Sequence, residues 1–401
     1  MAHSRHVSRR TFLRGAAAAA AAPLFVPTTS FGANDRITTA ILGLGGPAGG
    51  GAGGTQLLAV CDVRNDKLGR HARNKNVKKF RDFREMLTLD DVDAVLVGTP
   101  DHWHALASIA AVRAGKDVYC EKPMTLTIKE GRAMVDAVRR YDRVFQTGSQ
   151  QRSEYGGKFR FACEMVRSGR IGQLKRIHVN VGGPSGPCYL PPVPVPDTID
   201  WDMWLGPAPW RPFHPRIGLS GSWRAYRDYS GGGMTDWGHH HFDIVQWALD
   251  MDTSGPREVY PPDGKDIRYL TYIYESGVEV CHGGAKGAQI EFIGTEGRVM
   301  VDRGTLKTDP PNIMAKPIGP NEVHLYHSPG HKQNWVECIR TRRRPICDVE
   351  IGCRSVTVCH IGNLAYWLKR PLKWDPVKEE FIGDPGANRW LDRPKRAPWH
   401  I

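Results

Sequence analysis

The chain contains no apolar run long enough to cross a bilayer. Its longest candidate, Ala16 to Val26 ("AAAAAAAPLFV"), is too short and too alanine-rich to span one. Its nine cysteines include no C-x-x-C pair, which removes a zinc ribbon, and their odd number argues against a closed disulfide framework. They read instead as small buried hydrophobes. There is no internal repeat, so solenoids and propellers are excluded. There is also no basic helix or nucleic-acid motif, although the formal charge is +13. Four of those cations, Arg5, Arg9, Arg10 and Arg14, precede the first acid, Asp35. The remaining excess reads as an electropositive surface that receives anionic cofactors, not nucleic acid. What is present is an ordinary globular composition, 40% hydrophobic and 24% charged, on 401 residues, which is room for two cores.

The N-terminus reads as an address. "SRRTFLRG" (Ser8 to Gly15) sets twin arginines before a weakly apolar core, the pattern of a signal for export in the folded state. Residues 1–34 are therefore expected to engage the twin-arginine export machinery and deliver the protein to the periplasm or cell envelope.

From Arg36 onward, apolar runs ending in glycine or acid alternate with helical periodicity. "ITTAILGLGG", "TQLLAVCDV", "VDAVLVGTP", "KDVYCEKP" and "RVFQTGSQ" read as strands; "HALASIAAVRAG" and "TIKEGRAMVDAVRRY" read as helices. That alternation predicts a doubly wound parallel α/β sheet of the Rossmann type over 35–150. Beyond it, a Pro- and Trp-rich loop and alternating runs joined at Ser276-Gly277 predict an α+β domain over 151–375, with an open, mainly antiparallel sheet. Two helices are expected near 331–342 and 351–370, and a polar, Pro-rich strap over 376–401.

In a dinucleotide fold, glycines at the first strand–helix turn let the backbone approach the pyrophosphate. "GLGGPA" offers Gly43 and Gly45, with Ala48 in place of a third glycine, and Asp62 stands where an acid would bind the adenosine ribose. The acid favours NAD; Arg64 nearby keeps NADP in play. The run "GGPAGGGAGG" is a poor helix former where the first helix should lie.

"GTPDHWH" (Gly98 to His104) and "CEKP" (Cys120 to Pro123) each end a predicted strand, the edge where open α/β sheets bind ligands. Gln150 closes the fifth strand at the same edge. At these motifs the chain resembles the glucose–fructose oxidoreductase/inositol dehydrogenase family, Gfo/Idh/MocA, over residues 36 to 400. The family's T-P-[N/D]-x-x-H corresponds to Thr99, Pro100, Asp101 and His104, and its E-K-P to Glu121, Lys122 and Pro123. Segment 43–54 departs from the family pattern, and the stretch after Asp62 is shortened. The resemblance implies an NAD(P)-dependent oxidoreductase whose cofactor contacts Gly43, Gly45, Asp62, Thr99, Pro100, His104, Glu121, Lys122 and Gln150. It also implies a homo-oligomer formed through the C-terminal sheet.

"TDWGHHHFD" (Thr235 to Asp243) holds three consecutive histidines, which cannot face one point on a helix. No chelating i, i+4 pair of histidines occurs in this segment, so no metal is expected. The spacing places Asp236 and Asp243 on the same helical face as His240, poised to orient its imidazole. The family segment D-x-x-x-H-x-x-D implies the same: Asp236 and His240 catalytic, beside Lys122. His239 and His241 read as structural. In the expected mechanism His240 takes the proton of a secondary hydroxyl on a sugar, cyclitol or sugar derivative, and Lys122 stabilises the alkoxide. A neutral imidazole is required, so the rate is expected to fall with acidity between about pH 5 and 8. Export in the folded state implies a tightly held cofactor. Two alternatives stay open: an NAD-dependent glycosidase working by transient oxidation and elimination, and a sugar-binding protein without cofactor.

Overall fold

The computed structural model describes residues 36–71 and 74–401, so the twin-arginine segment lies outside the described residues. Six strands, β1 (Thr38–Leu42), β2 (Gln56–Cys61), β3 (Lys78–Phe80), β4 (Ala94–Val97), β5 (Asp117–Cys120) and β6 (Phe145–Thr147), form a sheet in the order 3-2-1-4-5-6. All its pairings are parallel. The central strands β4 and β5 are buried at every position, as strands covered on both faces must be.

One face is covered by α1 (Asp101–Arg113), which starts immediately after Pro100, and by α2 (Ile128–Arg140). A capping box formed by Thr127 and Glu130 fixes the start of α2. The opposite face is different. Between β1 and β2 the Gly-rich segment makes only a 3-10 turn, Pro47–Gly50, where a dinucleotide fold has its first crossover helix.

The second sheet runs β13-β12-β11-β7-β10-β9-β8-β14-β15. Its strands are β7 (Leu174–Val179), β8 (Glu258–Tyr260), β9 (Leu270–Ile273), β10 (Glu279–His282), β11 (Ile290–Gly294), β12 (Arg298–Val301), β13 (Leu306–Asp309), β14 (Leu372–Asp375) and β15 (Glu380–Phe381). Only β7 and β10 pair in parallel, so the sheet is mainly antiparallel, and β9 turns into β10 at Gly277, whose φ of 79° suits glycine. Helices α3 (Lys158–Arg167), α4 (Gly238–Ala248) and α6 (Val349–Leu368) share its core.

The helix preceding α6, α5 (His331–Thr341), belongs spatially to the first sheet. Its Trp335, Val336 and Ile339 join Ile41, Val60, Leu96 and Tyr119 on the face that lacks the crossover helix. Helix α6 bridges both cores: Val349, Cys353 and Val356 join the first, Val358, Ile361 and Leu364 the second.

The Pro- and Trp-rich loop, expected to lack regular structure, carries a short helix at Trp201–Leu205 and holds a core of its own, in which Trp201, Trp204, Phe213, Ile217 and Trp223 cluster. It docks on the end of β2 through Asn65 N–H to the Thr198 carbonyl and Asp200 N–H to the Val63 carbonyl, both 2.9 Å. The terminal segment 376–401 is divided: β15 pairs with β14, Phe381, Ala387 and Leu391 join the second core, and the end lies against the first, with Trp399 packed on Phe83 and Trp103.

Candidate active site

The loops that leave the C-terminal edge of the parallel sheet enclose a cleft of about 230 Å³. Gly43, Gly45, Asp62, Thr99 and Pro100 line one wall, and Trp204, Leu219 and Arg224 from the Trp-rich loop line the other. Gly43 has a φ of 87°, and a Cβ there would sit 2.6 Å from the Thr99 nitrogen. Only glycine lets the first and fourth strand ends approach this closely.

Asp62 accepts hydrogen bonds from the N–H groups of Leu44 (2.7 Å) and Arg64 (2.9 Å), so the acid also braces the glycine loop. Burial raises its pKa above the ordinary carboxylate range, against the opposing pull of those N–H groups. The Arg64 guanidinium is engaged by Asp66 at 2.6 Å and by the Leu219 carbonyl at 3.1 Å. A glycine-walled cleft with an acid after β2 fits a dinucleotide. The N-terminus of a first crossover helix, which would add oriented N–H groups, is not part of the donor set.

His104 corrects its expectation as a cofactor contact. It is buried, and its nitrogens lie 2.7 Å from the Pro123 carbonyl and 2.8 Å from the Thr99 carbonyl. It ties the T-P-D loop to the E-K-P loop instead of lining the cleft, and burial pushes its pKa down to about 4. Asp101, between Thr99 and His104 in the motif, is also buried and accepts a 2.6 Å hydrogen bond from the Ser230 hydroxyl; burial pushes its pKa up to about 7. Glu121, Lys122 and Gln150 lie at the same sheet edge but outside the cleft lining. Glu121 is buried, which raises its pKa, with Lys332 and Lys122 as opposing charges. Gln150 reaches the Tyr119 hydroxyl at 3.5 Å.

Lys122 and Asp236 meet across the two halves of the chain. The ammonium donates to the Asp236 carboxylate at 2.6 Å and to its backbone carbonyl at 2.9 Å. Arg224 approaches the same carboxylate at 3.4 Å. This arrangement corrects the Asp236–His240 dyad expected from helical spacing. The turn Gly233–Asp236 runs into α4 through Trp237, whose backbone stays right-handed helical, but the carboxylate is drawn to two cations and away from a neutral ring. Asp243 is also taken: Arg152 holds it with two 2.9 Å bonds, and Ser355 donates at 2.9 Å.

His240 is consequently without a carboxylate partner. Its Nδ1 is sealed in the interior and makes no hydrogen bond to the described residues; Nε2 is not sealed. Burial first, then the charges of Lys122 and Arg303, hold its pKa well below the ordinary histidine value. That shift places any acid limb set by this ring below the pH at which an ordinary histidine would produce it.

His239 accepts the Met124 N–H at 3.2 Å, and His241 Nδ1 sits 3.0 Å from the Trp237 carbonyl. Both are buried and brace loops. Among the described residues, no three His, Cys, Asp or Glu side chains gather as a metal ion would require. Arg224, Arg303 and Gln151, whose amide donates to the His240 carbonyl at 3.1 Å, also surround the site. Sequence reasoning missed all three because each sits in a turn with no local pattern. The arginine of "GSWRAYRD", just before the glycine turn, was the one available clue.

Comparison with known proteins agrees with this fold. A family model described as the oxidoreductase family, C-terminal alpha/beta domain, matches residues 183–401, and one described as its NAD-binding Rossmann fold matches 45–149. A twin-arginine translocation signal model matches 6–26, so the chain carries the address for export to the periplasm or cell envelope.

Curated relatives include glycosyl hydrolase family 109 protein 1 of Shewanella sp. (strain MR-4), 31% identical over 131 residues, covering 30% of this chain and 28% of that protein. Myo-inositol 2-dehydrogenase of Thermotoga maritima is 31% identical over 132 residues, covering 33% and 39%. The chain thus spans less than two fifths of the length of these relatives.

Among solved structures, the fold is shared with aldose-aldose oxidoreductase from Caulobacter crescentus complexed with glycerol (22% identity, TM-score 0.58, 84% of this chain and 99% of that one). It is shared too with the WlbA dehydrogenase from Bordetella pertussis in complex with NADH and UDP-GlcNAcA (17%, 0.60, 85% and 99%). With a family model matched across more than half of its length and the six-stranded parallel sheet in place, the chain belongs to the Gfo/Idh/MocA oxidoreductase family.

Proposed function

We propose that this protein is an NAD-dependent oxidoreductase that interconverts a secondary alcohol and a ketone on a sugar, cyclitol or sugar derivative. One observation carries the reading: Lys122, locked to Asp236, and the buried, neutral His240 gather at the C-terminal edge of the parallel sheet, beside the glycine-walled cleft. The family and the inositol dehydrogenase among its relatives support it.

A bound nicotinamide supplies the hydride acceptor. His240 accepts the hydroxyl proton at Nε2, the ring nitrogen that is not sealed. The Lys122 ammonium stabilises the developing alkoxide, and Asp236 holds that ammonium in place. Gly43, Gly45, Asp62, Thr99 and Pro100 would hold the dinucleotide. The buried acid after β2 and the engagement of Arg64 by Asp66 favour NAD; Lys67 and Arg81, which line the same cleft, are the cations a 2′-phosphate would meet.

Export in the folded state favours a cofactor carried inside the protein, and docking of the Trp-rich loop on the β2 end closes the cleft from one side. Extraction of purified, folded protein should release stoichiometric NAD, and sugars or cyclitols should convert it to NADH. Protein with no bound or bindable nucleotide would refute the reading and favour a sugar-binding role. The glycosyl hydrolase family 109 relatives favour a second reading, glycoside cleavage through transient oxidation. Release of aglycone from nitrophenyl glycosides without net NADH identifies it.

A further inference from the structure

Arg303 occupies the turn between β12 and β13 and is half-buried beside His240. Its guanidinium is held between the rings of Trp237, at 4.7 Å, and Tyr155, at 4.8 Å. Its Nε donates to the Gln151 amide oxygen at 3.4 Å, and the same amide group donates to the His240 carbonyl. The Trp237 ring lies 6.0 Å from the His240 ring and is 45% exposed, so the assembly opens to solvent beside the proposed base.

Each neighbouring cation has a carboxylate partner. Lys122 and Arg224 both face Asp236, and Arg152 is tied to Asp243 and Asp252. Arg303 forms no ion pair with any described residue, and its two terminal amino groups make no hydrogen bond to one. The adjacent Asp302 is turned away, accepting the N–H groups of Gly304 and Thr305 at 2.8 and 2.6 Å. Two aromatic rings therefore flank the guanidinium, and its terminal amino groups are left without an acid among the described residues. A site that serves a proton-accepting imidazole gains nothing from an uncompensated cation at this position, since that charge opposes protonation of the ring. The arrangement is complete only when an anion arrives with the ligand.

Resting on the oxidoreductase reading of this site, we propose that Arg303 receives the carboxylate of an acidic sugar, a uronic acid, and so selects a charged over a neutral substrate. The planar fork matches a carboxylate through two parallel hydrogen bonds, and the exposed Trp237 face suits the C–H surface of the sugar ring.

The test is binding, read by calorimetry and by tryptophan fluorescence on the full folded protein. The probes are pairs that differ only by CH₂OH against COO⁻: glucose and glucuronate, galactose and galacturonate, mannose and mannuronate. At least one acid should bind about 10- to 100-fold more tightly than its neutral partner, the range of a charge-assisted hydrogen bond. Arg303→Gln should abolish that ratio, costing the acid more affinity than its neutral partner, and Arg303→Lys should retain part of it. Arg303→Lys serves alone if the glutamine variant does not fold. A panel in which no acid is preferred, or a ratio unchanged in the variants, overturns the proposal. Binding needs no turnover. A protein that selects acids but reduces no NAD therefore refutes the oxidoreductase reading alone, and one that oxidises neutral sugars without selecting acids refutes this inference alone.

Discussion

Replacing Lys122 by methionine removes a charge while keeping most of the side chain's volume. In the native protein the ammonium lies 2.6 Å from Asp236, and the two side chains are 17% and 21% exposed. An alkoxide forming within about 4 Å of that ammonium would gain up to about 4 kcal/mol at the effective dielectric of a partly buried site. Because the transition state carries only part of that charge, the loss should be about 2–4 kcal/mol, or about 30- to 1,000-fold in turnover. The ammonium also depresses the basicity of His240, so the variant should titrate its imidazole at higher pH than the native protein. Asp236 keeps Arg224 at 3.4 Å, and folding should therefore survive. The assay pairs single-turnover reduction of bound NAD by the best sugar of a panel with an imidazole titration by NMR. Turnover within threefold of native, or an unmoved His240 titration, would refute the proposed role of Lys122.

Three further outcomes follow from the same geometry. The acid limb of oxidation by the native enzyme should lie below the ordinary histidine value of about 6.5, because burial and two cations hold the His240 pKa down; a limb centred at or above about 6.5 would sink that assignment. Asp101, whose pKa is raised to about 7, binds its proton more tightly folded than unfolded, so its contribution is complete below about pH 4 and lost as pH rises through 7. Asp101→Asn should remove that slope and raise stability by roughly 2–4 kcal/mol at pH 8, and urea melts showing the same pH dependence in both proteins would contradict it. Gly43→Ala would set a Cβ 2.6 Å from the Thr99 nitrogen at a φ of 87°, and should cost about 2–4 kcal/mol in denaturant melts and weaken NAD retention; a neutral effect would show that the cleft is wider than described.

Much of the architecture was readable before any coordinates. Apolar runs alternating with 3.6-residue periodicity fixed β1, β2, β4, β5 and β6 and the two helices α1 and α2, because local pattern decides those elements. The weak helix propensity of the glycine run correctly signalled a missing crossover helix. The T-P-D and E-K-P motifs led to the sheet edge that carries Lys122. Partnerships between distant residues were not readable. Counting along one helix pairs Asp236 with His240, yet the stronger attraction comes from a lysine 114 positions away. His104 looked like a cofactor contact, but the oxygens it joins belong to two loops whose approach no spacing records. The place of Arg303 depends on a hairpin turn meeting a helix end, which only the assembled second sheet provides.

The replacement of an early crossover helix by α5 ties the two ends of the polypeptide together. Until Trp335, Val336 and Ile339 have been synthesised, Ile41, Val60, Leu96 and Tyr119 have nothing apolar from that helix to cover them. The nucleotide-binding half is thus an incomplete body on a nascent chain, and it closes only when more than four fifths of the polypeptide has left the ribosome. A protein built this way gains from a transport route that accepts cargo only after the whole chain has matured.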